Sequence, residues 1–493
     1  MARSRIITPE FLQDEEQVAP NMQHEPCGRV HSFVLPASFH PGEFLKSPKL
    51  QSRWDDARYF ISLILRKLAR WDVDHLGLVR LHAKHLMAIM YQVTYAAVIE
   101  ALVDGGAVER FPYQVGQRSF GYRLAARFVA DKHVRMPATD QRLIQRLEKF
   151  RDDCSEERQA RLKPVHHALA EQQVRLQIHG NRAREILGGL PHDENQFDCQ
   201  SVLVGDIEER DFHLTVGQYG RVANSITSLK RELRDELHVG GKRLGSVDLS
   251  CAQPAFVAKV MQDASRDVGG ASRPNLIESA NFRFPGFLRT ETEGKDTRQA
   301  SGAGRGQRAA GGSNYDSSLS EAVHYDSSRS ATQNADFELY RSLVQRGELY
   351  EVLLADLGHS ISRDTLKRRF LADVIAKRKA SFRGGEYPSA VEDKFRERFP
   401  TVYHFIRAVN RDGYEHSNLI RLLQRAESSL VIETVAADLL ARHPRMFVIS
   451  LHDALFTTAE HLPKVEQAFR RAFEETNFSM SFKTSYPTAR QVA

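Results

Sequence analysis

Cysteine is scarce in this chain, with four among 493 residues. Cys27, Cys154, Cys199 and Cys251 are scattered, without C-x-x-C spacing or paired histidines nearby, so neither a zinc centre nor a disulfide framework is expected. The cytoplasm, a reducing compartment, is the expected home. Long apolar runs are missing too. None reaches the roughly 18 to 20 residues of a spanning helix, and residues 1–10 carry charge with no apolar stretch behind them, so neither membrane insertion nor a signal peptide is expected. There is no strong excess of one charge: the formal net charge is +6 and the pI near 9.0. That balance selects no partner; the distribution says more. Between Arg363 and Arg383 stand Arg363, Lys367, Arg368, Arg369, Lys377, Arg378, Lys379 and Arg383 against Asp364 and Asp373, a concentration suited to phosphates or to a solvated helix face.

The length allows a large buried core shared by about two or three domains. Residues 1–54 are polar and proline-punctuated and read as a poorly ordered arm. Over residues 55–135, Phe60, Leu63, Ile64 and Leu68, then Leu86, Ile89, Met90 and Val93, are spaced as in helices. Gly105 and Gly106 stop a helix, and a hairpin follows that turns at Gly116–Ser119 and carries Arg118 and Arg123. This resembles a winged helix, whose wing touches a duplex backbone; an ordinary helical domain with a hairpin flap is the alternative. Residues 136–200 are charged and helix-favouring, interrupted by Pro164 and ended by Gly188 and Gly189. Leu143, Ile144 and Leu147, then Leu169, Val174, Leu176 and Ile178, predict two helices in an antiparallel arm. After residues 201–288, glycine, serine, arginine and alanine dominate residues 289–336, which read as a flexible insertion or linker, too polar to repay the entropy of ordering. Residues 337–440 predict helices, one N-capped by Ser362 and others over 391–399, 401–407 and 419–435. Residues 441–493 predict a hairpin and a last helix over 464–475.

Two acids carry the chemistry. The β-capable residues Leu244, Val247 and Leu249 deliver Asp248 to a strand end, after which Ser250, Gln253 and Pro254 turn the chain into an apolar run. Some two hundred residues on, two β-capable runs between Arg445 and Thr458 flank a tight His452-Asp453 turn. An acid at a hairpin tip beside a strand that also ends in an acid suits two divalent cations, the arrangement for in-line phosphoryl transfer.

The order of these motifs, a D-x-S strand, a basic helix, a glutamine-bearing helix and an HD hairpin, resembles the palm of the family A DNA polymerases and the related single-subunit phage RNA polymerases. The resemblance covers roughly residues 215–475 without the insertion. It implies an α+β right-hand polymerase with an antiparallel β palm in two parts (201–288 and 441–493), helical fingers (337–440) and a helical thumb (136–200), preceded by a mostly helical N-terminal domain.

It also implies roles. Asp248 and Asp453 would bind Mg2+, or Mn2+, as catalytic ligands. Lys367 would meet the nucleotide's phosphates and assist the leaving group, with Arg363 four residues before it. Tyr219-Gly220-Arg221-Val222 is similar to the family's T-G-R-L-S-S segment, which makes Arg221, and more weakly Arg234, primer-template contacts. Gln424 corresponds to a glutamine at the primer terminus, and His452 to a buttress of the turn or a primer contact.

Departures are visible. The family's tyrosine eight residues after the lysine is Ile375 here, and the aromatic four after it is Leu371, with Phe370 one position off as the substitute at the nucleotide. Gln253 stands where the DNA enzymes have the glutamate that excludes a ribose 2′-hydroxyl and the RNA enzymes a glycine, and Ala454 matches neither group. Asp206-x-Glu208 looks like an exonuclease motif, but too little chain surrounds it for that fold. The expected partners are a DNA primer-template and dNTPs, with RNA allowed, in a bare polymerase module such as a mobile element, phage or plasmid carries. The rival readings are a non-catalytic nucleic-acid-binding protein with a decayed nucleotide pocket and template-independent nucleotide addition.

Overall fold

A computed structural model describes residues 31–70, 72–74, 76–113, 119–159, 162–190, 199–267, 331–378 and 389–487. The fold is mixed helix and sheet. Of the expected arm, residues 1–30 lie outside the described part, and the remainder is ordered, which corrects that expectation. Strand β1 (Ser32–Pro36) buries Phe33, Val34 and Leu35. It pairs through its whole length, from Ser32 opposite Pro137 to Pro36 opposite His133, with a strand a hundred residues later. Burying three apolar side chains against helix α1 (Trp54–Ala69) offsets the entropy of ordering this segment.

Helix α1 turns Phe60, Ile61, Ile64 and Leu65 inward. After it come β2 (Val79–Leu81), α2 (Ala83–Ile89), α3 (Tyr95–Asp104) and the hairpin β3 (Val108–Phe111) and β4 (Phe120–Leu124), with sheet order β2-β4-β3. Gly106, at φ +68°, makes the left-handed exit from α3. The expected turn with Arg118 falls in residues 114–118, outside the described part; Arg123 stands on β4 within 3.4 Å of Glu109. Strand β5 (His133–Pro137) is the partner of β1.

The expected antiparallel arm over 136–200 does not form. The helix Gln141–Gln159 lies on α2, with Leu143 buried and Arg146 Nε donating to the Ile89 carbonyl at 2.5 Å. The helix Pro164–Gln173 instead buries Val165 and Leu169 in the core of the C-terminal half. Leu176 and Ile178, expected to be helical, flank a period-two step: Gln177–Ile178 is strand β6, paired with residues 237–238. Residues two apart share a face in a strand, and the ladder satisfies the backbone groups that a further helical turn would have paired.

Strands β7 (Leu214–Val216) and β8 (Val222–Asn224) form a separate ribbon. The central sheet runs β11 (Ile449–Leu451), β12 (Ala454–Thr458), β10 (Lys242–Leu249), β9 (Leu237–Val239), β6, with β13 (Phe482–Ser485) also on β10, every pair antiparallel. Segments far apart in the chain thus close one sheet. Leu244, Ile449 and Leu451 join the core of the N-terminal half, while Val247, Leu249 and Leu455 face the helices behind.

Those helices include Ala252–Asp267, Ala331–Arg346, Leu349–Asp356, Arg363–Arg369, Ala390–Arg398, Pro400–Val409, Asn418–Ser428 and Leu462–Thr476. Ser362 caps its helix, accepting from the Thr365 amide at 3.2 Å. Residues 268–330, most of the expected insertion, lie outside the described part, and helix begins at Ala331, inside the expected linker. Two helices run on into π-helical segments, Phe370–Ile375 after Arg363–Arg369 and Ser429–Ala436 after Asn418–Ser428.

Candidate functional site

In β10 the alternation turns Val247 and Leu249 into the core and leaves Asp248 on the open face. Asp248 stands directly opposite Ala454, and the Leu249 amide donates to the Asp453 carbonyl at 3.2 Å. Adjacent strands run about 4.8 Å apart, so Asp248 on β10 and Asp453 in the turn leading into β12 lie at one end of the sheet. Only two residues join β11 to β12, and His452 takes the left-handed conformation this requires, φ +53°.

Asp248 acts on Asp453. Burial, then Asp248, then Glu427, push the Asp453 carboxyl up to about 7. Partial burial raises Asp248 as well, although its side chain reaches solvent, against the pull of Lys367, Arg231 and Lys483. Two carboxylates that close cannot both ionise freely without a cation.

Glu427 is a third acid that the sequence reading missed. It is 3% exposed, and its carboxylate accepts from Arg221 Nε at 3.0 Å and from Arg221 Nη2 at 2.9 and 3.1 Å. Burial raises Glu427, Arg221 opposes, and Asp248 adds to the rise. Arg221 reaches it because Gly220, at φ +78°, lets the β7–β8 turn lie on the helix: a Cβ there would stand 3.2 Å from Ser428 Cβ. The signal was present, since Glu427 interrupts the apolar stripe of Leu419, Leu423 and Ala426. Gln424, one turn earlier on the same helix, is half-buried.

On the helical side, Arg363 Nε lies 2.7 Å from Glu351 Oε1. The Arg363 guanidinium and the Lys367 ammonium stand 5.6 and 5.8 Å from the centre of the Tyr350 ring, within cation–π range. Tyr350 was also missed; its neighbours in space come from a later helix, and no local pattern marks it. Phe370, expected at the nucleotide, is 1% exposed and packs edge-on against Tyr350 and Phe395, at 5.8 and 5.1 Å. Its ring is a core element, because its place on the helix directs it inward with Leu366. Ile375 is buried and Leu371 half-buried, so neither supplies an exposed aromatic surface.

Arg234 donates from Nε to the Leu229 carbonyl at 2.9 Å. Burial, Arg221 and Arg234 depress the His452 imidazole, whose outer side is exposed. Gln253 is half-buried in the first turn of Ala252–Asp267, beyond Cys251, which has φ +52°. Asp206, far from these groups in role, is held at about 2: burial opposes ionisation, but Arg66, Arg70 and Arg135 outweigh it, as in a structural ion-pair cluster.

Among the described residues no group of three or more His, Cys, Asp and Glu side chains forms a ready metal cage. Asp248 and Asp453 nevertheless fit a hard divalent cation: both are oxygen donors, and the burial and like charge that hold Asp453 protonated are what a cation relieves. Mg2+ commonly takes only one or two carboxylates and completes its shell with water and substrate phosphates.

No family model and no curated protein matches the chain. A solved structure, the POL domain of Pol1 from M. smegmatis in complex with DNA primer-template and dNTP, is similar over 62% of this chain and 55% of that one, at 13% identity and a TM-score of 0.27. This chain thus spans little more than half of that one. Among the described residues no helix is long and apolar enough to cross a membrane.

Proposed function

We propose that the chain is a nucleotidyltransferase that extends a nucleic-acid primer, with template-directed DNA synthesis as its reaction. The observation that carries this reading is the placement of Asp248 near the end of β10 beside Asp453 in the turn that leads into the neighbouring strand, where Asp248 raises Asp453's resistance to ionisation. Bound between them, Mg2+ or Mn2+ would activate the attacking hydroxyl and stabilise the leaving pyrophosphate.

The chain's own residues supply the rest. Asp248 and Asp453 hold the cations and fix where the primer end and the nucleotide meet. Lys367 and Arg363 take the triphosphate, and Lys367 neutralises charge on the leaving group. Arg221, Arg234, Gln424 and His452 line the primer-template side, with Arg221 oriented by Glu427. Gln253 favours a deoxyribose, its amide filling the space of a 2′-hydroxyl. A likeness between the motif order and family A polymerases supports the same assignment.

One observation favours a second reading, a non-catalytic nucleic-acid-binding protein: no exposed aromatic stands at Leu371 or Ile375 to carry the nascent pair. Primer extension decides. The purified chain with Mg2+ or Mn2+, a primed template and dNTPs or NTPs should extend the primer, and Asp248→Ala and Asp453→Ala should each abolish extension. Binding without extension under every condition supports the second reading, and extension without a template supports terminal addition.

A further inference from the structure

The edge strand β13 has two unlike faces. Phe482 packs on Phe469 and Phe473, and Thr484 donates to Glu466, which fixes the inner side. Lys483 and Ser485 point the other way and are exposed. In the register of β13 on β10, Lys483 is directly opposite Asp248 and Ser485 directly opposite Ser246. Residues paired in this way share a face, so Ser246, Asp248, Lys483 and Ser485 form one polar strip that ends at the candidate catalytic acid.

A second cation acts on the same acid. Arg231 opens a short helix, Arg231–Arg234, and is exposed. Its charge, like those of Lys367 and Lys483, bears on Asp248. Two cations around the site are already engaged, Arg221 by Glu427 and Arg363 by Glu351. Among the described residues the side chains of Arg231 and Lys483 make no hydrogen bond or salt bridge, and both act on Asp248. Exposed cations without a salt bridge, acting on one acid beside the hydroxyls of Ser246 and Ser485, suit a phosphodiester chain.

We infer that Lys483 and Arg231 form a binding track for the backbone phosphates of a nucleic-acid strand, running along the exposed face of β13 to Asp248. The inference rests on the proposed function for the identity of the strand's end, but the track is a binding site in its own right. The alternative phosphate source is the nucleoside triphosphate. Arg363 and Lys367 already serve it from the helical side, so the palm-edge pair is assigned to the strand.

The test uses the full chain and a fluorescein-labelled DNA primer-template, with anisotropy read across a KCl series and nucleoside triphosphate KM measured separately. Lys483→Gln and Arg231→Gln should each weaken DNA binding about 3–10-fold at low salt and lower the salt slope by about one. Lys394→Gln, whose ammonium is already paired with Glu397, should change neither. Thermal midpoints should change little, since neither track side chain has a hydrogen bond or salt bridge to lose and each only eases the ionisation of solvent-reaching Asp248. Wild-type affinity and slope in both variants would overturn the inference, and so would a loss confined to triphosphate KM. The two proposals fail separately. If Asp248→Ala abolishes extension while both variants bind DNA normally, the track falls and the enzyme stands; if the variants lose DNA affinity in a chain that extends nothing, the reverse holds.

Discussion

Arg221 grips Glu427 through two nitrogens at 2.9–3.1 Å, and the carboxylate it holds is almost wholly buried beside Asp248 and Asp453. This pair ties the β7–β8 turn to the helix Asn418–Ser428. It also leaves Glu427 with enough influence to raise Asp453.

Removing Arg221 strands a buried carboxylate. Arg221→Ala should cost about 3–5 kcal/mol of stability in urea unfolding, while Glu427→Gln, which removes the charge itself, should cost clearly less. Equal losses in the two variants would mean that the pair contributes packing alone.

The raised acids set a pH dependence. Asp453 titrates at about 7 when folded but near 3.8 in an ordinary environment, so between those values the unfolded chain ionises first. Without divalent cation, stability should therefore fall as pH rises from about 4 to 7, by roughly 1–2 kcal/mol once solvent screening is allowed for. Mg2+ favours the ionised pair, so its effect on the thermal midpoint should be larger at pH 8 than at pH 5. Asp453→Asn should flatten both trends.

Tyr350 carries the two cations assigned to the triphosphate. Tyr350→Phe keeps the ring and should leave nucleotide KM near wild type. Tyr350→Leu should raise it several-fold, in line with about 1–2 kcal/mol for two cation–π contacts, with a smaller change in kcat. A loss shared equally by both variants would point to the hydroxyl instead.

Phe370 belongs to the core. Phe370→Ala should destabilise the chain by about 3–5 kcal/mol, and Phe370→Leu should fold with nucleotide KM unchanged. A nucleotide defect in the folded leucine variant would return the ring to the pocket.

Strongly local patterns were legible in the sequence. The strand ending at Asp248, the two-residue turn at His452 and Asp453, and the Ser362 cap all follow from alternation, turn length and side-chain chemistry within a few residues. What the sequence hid depends on distant chain. Residues 32–36 look like part of a loose arm until β5 provides a partner. Leu176 and Ile178 fit a helix until β9 offers a ladder. Glu427 looks like one more charge on a helix until Arg221 arrives from two hundred residues earlier, and Lys483 acquires meaning only when the last strand lands next to Asp248.

The π-helical segments after Lys367 and after Glu427 have a consequence of their own. A turn closed by i→i+5 bonds holds one residue more than an α turn and rotates everything beyond it by about a quarter turn. Any alignment that counts positions without a gap will slip out of phase past residues 375 and 436. Deleting a single residue within either segment should rewind it to regular helix, and whichever side chains then swap between core and cleft will reveal what the wider coil was holding in place.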